Sequence, residues 1–413
     1  MNYPDSVQFL YALGNEARSA RLGLERMRAL MAALGDPQAR VAFVHVAGTN
    51  GKGSTCAMIE SGLRAAGRRT GLFTSPHLVE PTERIRIGGA PVPPERFAAA
   101  FERVHQTAEA MPAMDMHPTY FETVAAMAML VFREEGVDAA VLEVGLGGRL
   151  DATNVVTPRM TVITPVDYDH EALLGKSLEA IAGEKAGILK PGVPAVFAAQ
   201  RPEVEAVLAE AAGRAGAPVG RTSQWPVEDL QVDARGSSFR VGGLAIRCPL
   251  AGEHQVENAR TAAMALARLG TPPEAIERGI AAARWPGRLQ QVSQNPEILL
   301  DGAHNPAGAR ALAAYLDRFY SQRRVTLIYG AMRDKAIAEM GGILFPRAER
   351  VIATAPRQAR AARPETVVSM FDHPRLEATA TLAEALVRAR EADVTVITGS
   401  LFLVGEAEAL LGC

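Results

Sequence analysis

The sequence predicts an α/β protein of two domains: a larger one on a mostly parallel sheet, and a smaller C-terminal Rossmann-like α/β domain. Three observations predict it. Short β-branched and apolar runs alternate with amphipathic helical patterns almost throughout, which implies right-handed crossovers and a sheet covered on both faces. A glycine-rich loop joins the first strong strand to a helix. The alternation breaks at Trp285-Pro286-Gly287-Arg288 and then starts again. A chain of 413 residues, at roughly 100–200 residues per domain, has room for two or three. The boundary is expected near residues 288–296, giving domains of 1–290 and 291–413.

The elements follow in order. Residues 41–47 (VAFVHVA) read as a buried strand. Loop 48–53 comes next, then a helix over 54–66 and a strand at 69–73. Helices are expected at 94–110 and 119–135, and strands at 138–144 (DAAVLEV) and 160–164. A helix at 177–190 is stopped by Pro191-Gly192. Residues 217–249 change character: rich in Gly, Val, Arg and Ser, with short alternation such as SSFRVGGLAIRC, they predict a small antiparallel excursion. Helices follow at 253–269 and 273–283. The second domain should run strand 297–300, helix 306–320, strands 324–329 and 350–354, helix 382–391 and strand 394–398. Residues 356–364 (PRQARAARP) read as a loop.

Composition narrows the function classes. Net charge is −2, so no overall field recruits nucleic acid, and an anionic ligand needs local donors. The three cysteines, Cys56, Cys248 and Cys413, lie far apart and are odd in number. That argues against a disulfide framework and for a reducing, cytoplasmic setting. The N-terminus lacks a basic-then-apolar signal pattern. The strongest apolar run, 124–132, is far short of the roughly 20 residues that span a membrane. The expected partners are small molecules, with the chain acting as a monomer.

Gly48-Thr49-Asn50-Gly51-Lys52-Gly53-Ser54 lies between a buried strand and a helix, where a nucleotide phosphate loop belongs. Its glycines let backbone N–H groups turn towards phosphate oxygens. Lys52 can reach the β- and γ-phosphates, and the next helix points its positive end at them. Read this way, the first domain is expected to be a P-loop ATP-binding domain, although the common G-x-x-x-x-G-K-[ST] spacing is not matched. A hydroxyl normally follows the lysine to take Mg²⁺; Gly53 fills that slot here, so Ser54 is the candidate. The bland alternative is a Gly-rich turn with a solvated lysine.

Mg²⁺ on a triphosphate wants few, hard oxygen ligands. Glu143 ends a strand and is followed by Gly145-Leu146-Gly147-Gly148, the position where open α/β sheets place ligand groups. It could instead cap a neighbouring helix. Ser75 and His77, in Thr74-Ser75-Pro76-His77-Leu78, read on their own as a turn. Asp167, Asp169 and His170 crowd the segment VDYDH; since histidine is not a natural magnesium ligand, chemistry alone favours Asp169 over His170. Lys185 alone reads as a surface helix lysine.

Together, VAGTNGKGST, TSPHL, ERIRI, LEVGLGGRLDATN, DYDHEALLG, IAGEKAGILKPG, WPGRL and DGAHNP, in this order, resemble the folylpolyglutamate synthase family, including its bifunctional dihydrofolate synthase members, within the Mur-ligase superfamily. The resemblance runs from Leu22 to the segment 398–406. It implies that Asn50, Gly51, Lys52 and Gly53 hold ATP phosphates. Ser54, Ser75 and Glu143 would take a first Mg²⁺, and His170 a second, against the preference for Asp169. Lys185 would be carbamoylated, because a carbamate gives a dication an anionic oxygen that a lysine cannot. Asn258, Arg288, Asp301 and His304 would contact or lie near ATP. Leu22 and Gly23, the latter opening Gly23-Leu24-Glu25-Arg26, would touch the pterin. So would Thr119, Tyr120, Phe121 and Glu122, and Leu150, Asp151 and Ala152. For Tyr120 and Phe121 the residues alone fit ordinary core. Where several members carry an acidic residue before Leu-Gly, this chain has Arg21.

The chemistry so implied is ATP-dependent addition of L-glutamate to dihydropteroate and to folate polyglutamates through an acyl phosphate. Lys52, Lys185, His170 and Arg288 would be the catalytic set, and the two domains would close to exclude water. Glutamate would bind between the domains, where Arg357, Arg360 and Arg363 could meet its carboxylates; an arginine-rich loop is as readily a solvated surface. Rival readings fit less well. A muramyl-peptide synthetase would need a nucleotide-sugar domain before Gly48. A GTPase would need N-K-x-D, which the chain lacks. A decayed ATP-binding module would not retain Lys52, Glu143, His170, Lys185 and Asp301.

Overall fold

The structure is a computed structural model that describes residues 1–14, 23–111 and 117–412. The chain forms two compact units: Met1–Glu228, Arg240–Ile246 and Glu257–Ala283 make the first, and Asp229–Phe239, Arg247–Val256 and Arg284–Cys413 the second.

The first unit is built on eight strands: β1 (Ala42–Ala47), β2 (Thr70–Phe73), β3 (Ile85–Ile87), β4 (Ala90–Pro91), β5 (Ala139–Glu143), β6 (Met160–Ile163), β7 (Ala195–Phe197) and β8 (Val219–Arg221). Their order is β4-β3-β2-β5-β1-β6-β7-β8. All neighbours from β2 to β8 pair parallel, and β3 and β4 form an antiparallel edge. β1 is central and, apart from Ala42, buried along its length, which is why it reads as a continuous apolar run rather than an alternation. The chain leaves β1 towards β2 on one side and later adds β6 on the other. β1 therefore sits at a topological switch point, where ligands bind at the carboxyl ends of the strands.

The helix Lys52–Ala65 leaves β1 through the glycine loop and is buried from Gly53 to Leu63. It packs backbone to backbone on the helix Pro273–Ala282: a Cβ on Gly279 would lie 2.3 Å from the Gly62 Cα, and Ser61 Oγ donates to Gly279 O at 2.7 Å. No side chain could stand there, so the helix that carries Lys52 is held firmly. The helix Tyr120–Glu134 is apolar nearly all round and is buried in a core with Met27, Leu30, Phe97 and Phe101.

β9 (Glu228–Asp233), β10 (Gly236–Val241) and β11 (Leu244–Cys248) make a three-stranded sheet. Their two-residue links make it antiparallel. The second unit's sheet comprises β12 (Gln290–Gln294), β13 (Glu297–Leu300), β14 (Val325–Tyr329), β15 (Arg350–Ala353), β16 (Leu376–Ala378) and β17 (Val394–Thr398), in the order β12-β13-β17-β14-β15-β16. It is parallel except for β12. The helix Pro306–Phe319, capped by the Asn305 side chain, packs on its core.

Three local expectations are corrected. Residues 219–221 do not belong to the antiparallel excursion but extend the parallel sheet as β8; three residues are too few to show a period. The helix expected over 177–190 ends at Ala186, because the Arg149 N–H takes Glu184 O at 2.7 Å and Asn154 Nδ2 takes Gly187 O at 3.0 Å. β12, beside the expected boundary, is an edge strand that the apolar pattern does not announce. Among the described residues no helix is long and apolar enough to cross a membrane.

Candidate active site

The phosphate loop is shaped by two glycines in the left-handed region. Gly48 has φ +148°, and a Cβ there would fall 1.9 Å from Thr164 Oγ1. Gly51 has φ +83°, and a Cβ there would fall 2.1 Å from Asn258 Oδ1. Only glycine lets the chain turn this closely against its neighbours. Thr49 ties the loop to the chain beyond β6: its Oγ1 donates to Asp167 O at 2.9 Å and accepts from Asp167 N. Both Thr49 N and Asn50 N donate to Pro165 O. The helix that starts at Lys52 has Gly51 at its N-cap and no side-chain cap hydrogen bond, and the positive end of such a helix favours an anion. Lys52 Nζ donates to Thr49 O at 3.1 Å, and Ser54 is buried in the first turn of the helix.

Parallel pairing brings the other predicted groups to this edge. Glu143 is the register partner of Val46, two residues before Gly48. Its Oε2 accepts the Ser75 N–H at 3.1 Å, so the residues following β2 and ending β5 meet. Lys185 is buried, and its Nζ donates to Gly48 O at 2.8 Å. Burial, with the Lys52 charge adding to it, lowers its pKa to about 7, against the pull of Asp169 and Asp151. It is thus no surface helix lysine. Asp169 Oδ1 accepts the His170 N–H at 2.9 Å, and His170 takes a left-handed backbone, φ +52°.

The turn after Glu143 is organised by Asp151. Its Oδ2 accepts the N–H of Gly145 and Leu146 at 3.0 and 2.9 Å. Burial pushes its carboxyl up, and these donors with Thr153 restrain the rise. Leu150 and Ala152 flank it. Phe121 packs on Gly145, where a Cβ would fall 2.4 Å from its ring. Tyr120 is core, with Arg84 lying 4.9 Å over its ring. Glu122 closes a capping box with Thr119 and takes a two-pronged hydrogen bond from Arg26 at 2.8 and 2.9 Å. Gly23 lies just before that helix's Arg26 partner in sequence, and Leu22 lies outside the described residues.

In the second unit, Asp301 follows β13 and is buried. Its carboxylate accepts Leu289 N and Ala303 N, both at 3.0 Å. Burial pushes its pKa up, and Arg288 is the strongest opposing group. Arg288 lies against Gly302, where a Cβ would fall 2.5 Å from Nη1. His304 Nδ1 donates to Gly302 O at 2.8 Å. In the arginine loop, Arg357 N–H is bound by Glu406 and Arg360 reaches Asp334 at 3.5 Å. Arg357 and Arg363 are exposed.

Comparison with known proteins places the chain in a family. Residues 46–267 match the Mur ligase middle domain, and residues 287–401 the Mur ligase glutamate ligase domain. The chain is 38% identical to the dihydrofolate synthase/folylpolyglutamate synthase of Bacillus subtilis, over 82% of this chain and 81% of that one. It is 35% identical to the folylpolyglutamate synthase of Lacticaseibacillus casei, over 100% and 99%. This chain belongs to the folylpolyglutamate synthase family of Mur ligases. A Mycobacterium tuberculosis folylpolyglutamate synthase complexed with ADP superposes with a TM-score of 0.91 at 34% identity, covering 100% of this chain and 99% of that one. The chain spans half the length of a Haloferax volcanii family member described as a probable bifunctional folylpolyglutamate synthase/dihydropteroate synthase, at 38% identity over 98% of this chain.

Nucleotide and magnesium, which the family implies, fit the residues present. At Gly51 the loop is bare backbone in the left-handed region, packed so closely on Asn258 that no Cβ fits, as a backbone cradle for phosphate oxygens requires. The donor set near the loop, the Glu143 carboxylate with the hydroxyls of Ser54 and Ser75, is made of hard oxygens, the kind Mg²⁺ takes alongside phosphate oxygens. Two features that shape the site escaped the sequence reading, Thr164 and the Arg149–Glu184 pair at 2.8 Å; Thr49 and Asp167 were named there only as members of their segments. One signal could have raised Lys190 and Lys185. The chain has five lysines against 39 arginines, and Lys52, Lys176, Lys185 and Lys190 are four of the five.

Proposed function

We propose that this enzyme joins L-glutamate to dihydropteroate and to folate polyglutamates at the expense of ATP. The observation that carries the reading is the buried amine of Lys185 at the foot of the phosphate loop, bonded to Gly48 O. A carboxylate of the folate acid attacks the γ-phosphorus of ATP; the bond to the β-phosphate oxygen breaks, leaving acyl phosphate and ADP. The amine of glutamate then attacks the acyl carbon, phosphate departs with the bonding pair, and the nitrogen gives up its proton. The protein's part is positioning and charge neutralisation.

Asn50, Gly51, Lys52 and Gly53 bind the phosphates, Lys52 and Arg288 neutralise the transferring group, and Asn258, Asp301 and His304 complete the ATP contacts. Two Mg²⁺ ions, held by Ser54, Ser75, Glu143, His170 and a carbamoylated Lys185, would supply Lewis acidity at the phosphoryl oxygens. A lysine with pKa about 7 is largely neutral just above neutrality. Its lone pair can then add to CO₂, releasing one proton and leaving the carbamate. Gly23, Phe121 and the 150–152 turn face the pterin in this reading, with Thr119, Tyr120 and Glu122 behind them. The enzyme acts in a reducing cytosol on small molecules, as the buried, unbridged Cys56 and Cys248 suit.

The test is phosphate release by the purified chain. Release that requires both glutamate and a pterin acid, dihydropteroate in one assay and tetrahydrofolate monoglutamate in another, supports the proposal. ATP hydrolysis indifferent to both rejects it, and response to the folate alone leaves a monofunctional folylpolyglutamate synthase.

A further inference from the structure

His45 lies on β1, three residues before Gly48, and has no part in the chemistry above. Its ring is wholly buried. Nε2 lies 2.8 Å from Thr153 Oγ1, and Thr153 Oγ1 lies 2.5 Å from Asp151 Oδ1. Asp151 Oδ1 also accepts the Thr153 N–H at 3.0 Å, while Oδ2 accepts Gly145 and Leu146. His45 Nδ1 has no hydrogen-bond partner among the described residues. Burial, then the Lys190 charge, lowers the ring's pKa to about 3, so the imidazole is neutral and carries one proton.

A proton count sets the direction of this chain. The hydroxyl has one hydrogen to give. If it went to His45, the ring's proton would sit on Nδ1 as a buried N–H with no acceptor, and Asp151 would have to be protonated to meet Thr153. An orphaned buried N–H is rarer and more costly than an unused lone pair. If the hydroxyl goes to Asp151, it accepts from His45 Nε2–H, and only a lone pair on Nδ1 is unused. Asp151 then receives four donors, the complement of an ionised carboxylate.

The turn held by Asp151 starts two residues after Glu143. At its far end the Arg149 N–H donates to Glu184 O at 2.7 Å. A Cβ on Gly148 would fall 2.8 Å from that same oxygen and 3.1 Å from the Lys185 Cα. We infer that His45, as its Nε2–H tautomer, is a positioning residue: through Thr153 it locks Asp151, and so fixes the turn that spaces Glu143 from Lys185. The catalytic consequence rests on the proposed ligase reading; the tautomer and the relay do not.

Three substitutions separate the possibilities. In H45Q the amide nitrogen stands where Nε2 was and can donate to Thr153; in H45N it stands nearer Nδ1; H45L donates nothing. We expect kcat per folded enzyme within about threefold of the parent for H45Q, and lower by about tenfold or more for H45N and H45L, with the KM for ATP little changed. A purely structural role would lower thermal stability in all three and leave kcat per folded enzyme unmoved. Nitrogen-15 NMR of the full chain, labelled at histidine, reads the tautomer without any activity: the proton should sit on Nε2 from about pH 5 to 8. A proton on Nδ1, or H45N matching H45Q in kcat, overturns the inference. If the parent chain shows no ligase turnover, the NMR result alone decides the relay.

Discussion

Replacing Lys185 by methionine should remove a pH dependence of stability whose size follows from its burial. In the folded chain the amine has a pKa of about 7; unfolded, it should return to about 10.4. Its folded value is depressed, so between these limits the unfolded chain binds the extra proton, and stability rises with pH. At about 1.4 kcal/mol per pH step once the folded amine is neutral, the gain from pH 7 to 9 is about 2 kcal/mol. From pH 6 to 7 it is only a few tenths of a kcal/mol, since both states are then mostly protonated. The assay is urea unfolding of the parent and K185M in CO₂-free buffer at pH 6, 7, 8 and 9, taking the difference at each pH so that other groups cancel. That difference should be nearly flat below pH 7 and climb above it. A flat line throughout would mean an ordinary solvated ammonium, and the chemistry assigned to a neutral Lys185 would lose its basis. With bicarbonate labelled in carbon-13, the parent and not K185M should show a carbamate signal.

Other consequences are nearer the surface of the site. G51A should weaken ADP binding by about tenfold or more, because its Cβ collides with Asn258 and its backbone must stay left-handed at a cost of about 1–2 kcal/mol; titration calorimetry measures it, and unchanged affinity would deny the cradle. R26M should destabilise the fold by about 3 kcal/mol, since it strands the buried Glu122 carboxylate, and an unmoved melting temperature would contradict that. Charge reversal at Arg357 and Arg360 together should raise the KM for glutamate without altering that for ATP; an unchanged glutamate KM makes the loop mere solvated surface.

What the sequence made legible follows from physical scale. The strand-loop-helix course from Gly48 to Ser54 was readable because glycine spacing between a strand and a helix is itself the structure, and the position of Glu143 because an apolar run ending in a carboxylate before a glycine turn marks the end of a buried strand. Lys185 was not readable from its own helix: a lysine in a helical segment looks solvated until the fold buries it against Gly48. His45 was hidden by the same logic, a polar residue in an apolar strand whose partner, Thr153, is 108 positions away. The Tyr120–Glu122 segment carried two meanings, and the structure gives Tyr120 to the core and Glu122 to Arg26. Short parallel additions such as β8 leave no period to detect, and the early end of the helix at Ala186 depends on donors from Arg149 and Asn154 that no local pattern contains.

The most direct test of the ligase account is to follow oxygen. With the folate acid's carboxylate enriched in oxygen-18, phosphate released during amide formation should carry one labelled oxygen per turnover, since the carboxylate oxygen leaves bonded to phosphorus. Unlabelled phosphate, with amide still formed, would show that the acid is never phosphorylated and would contradict the account.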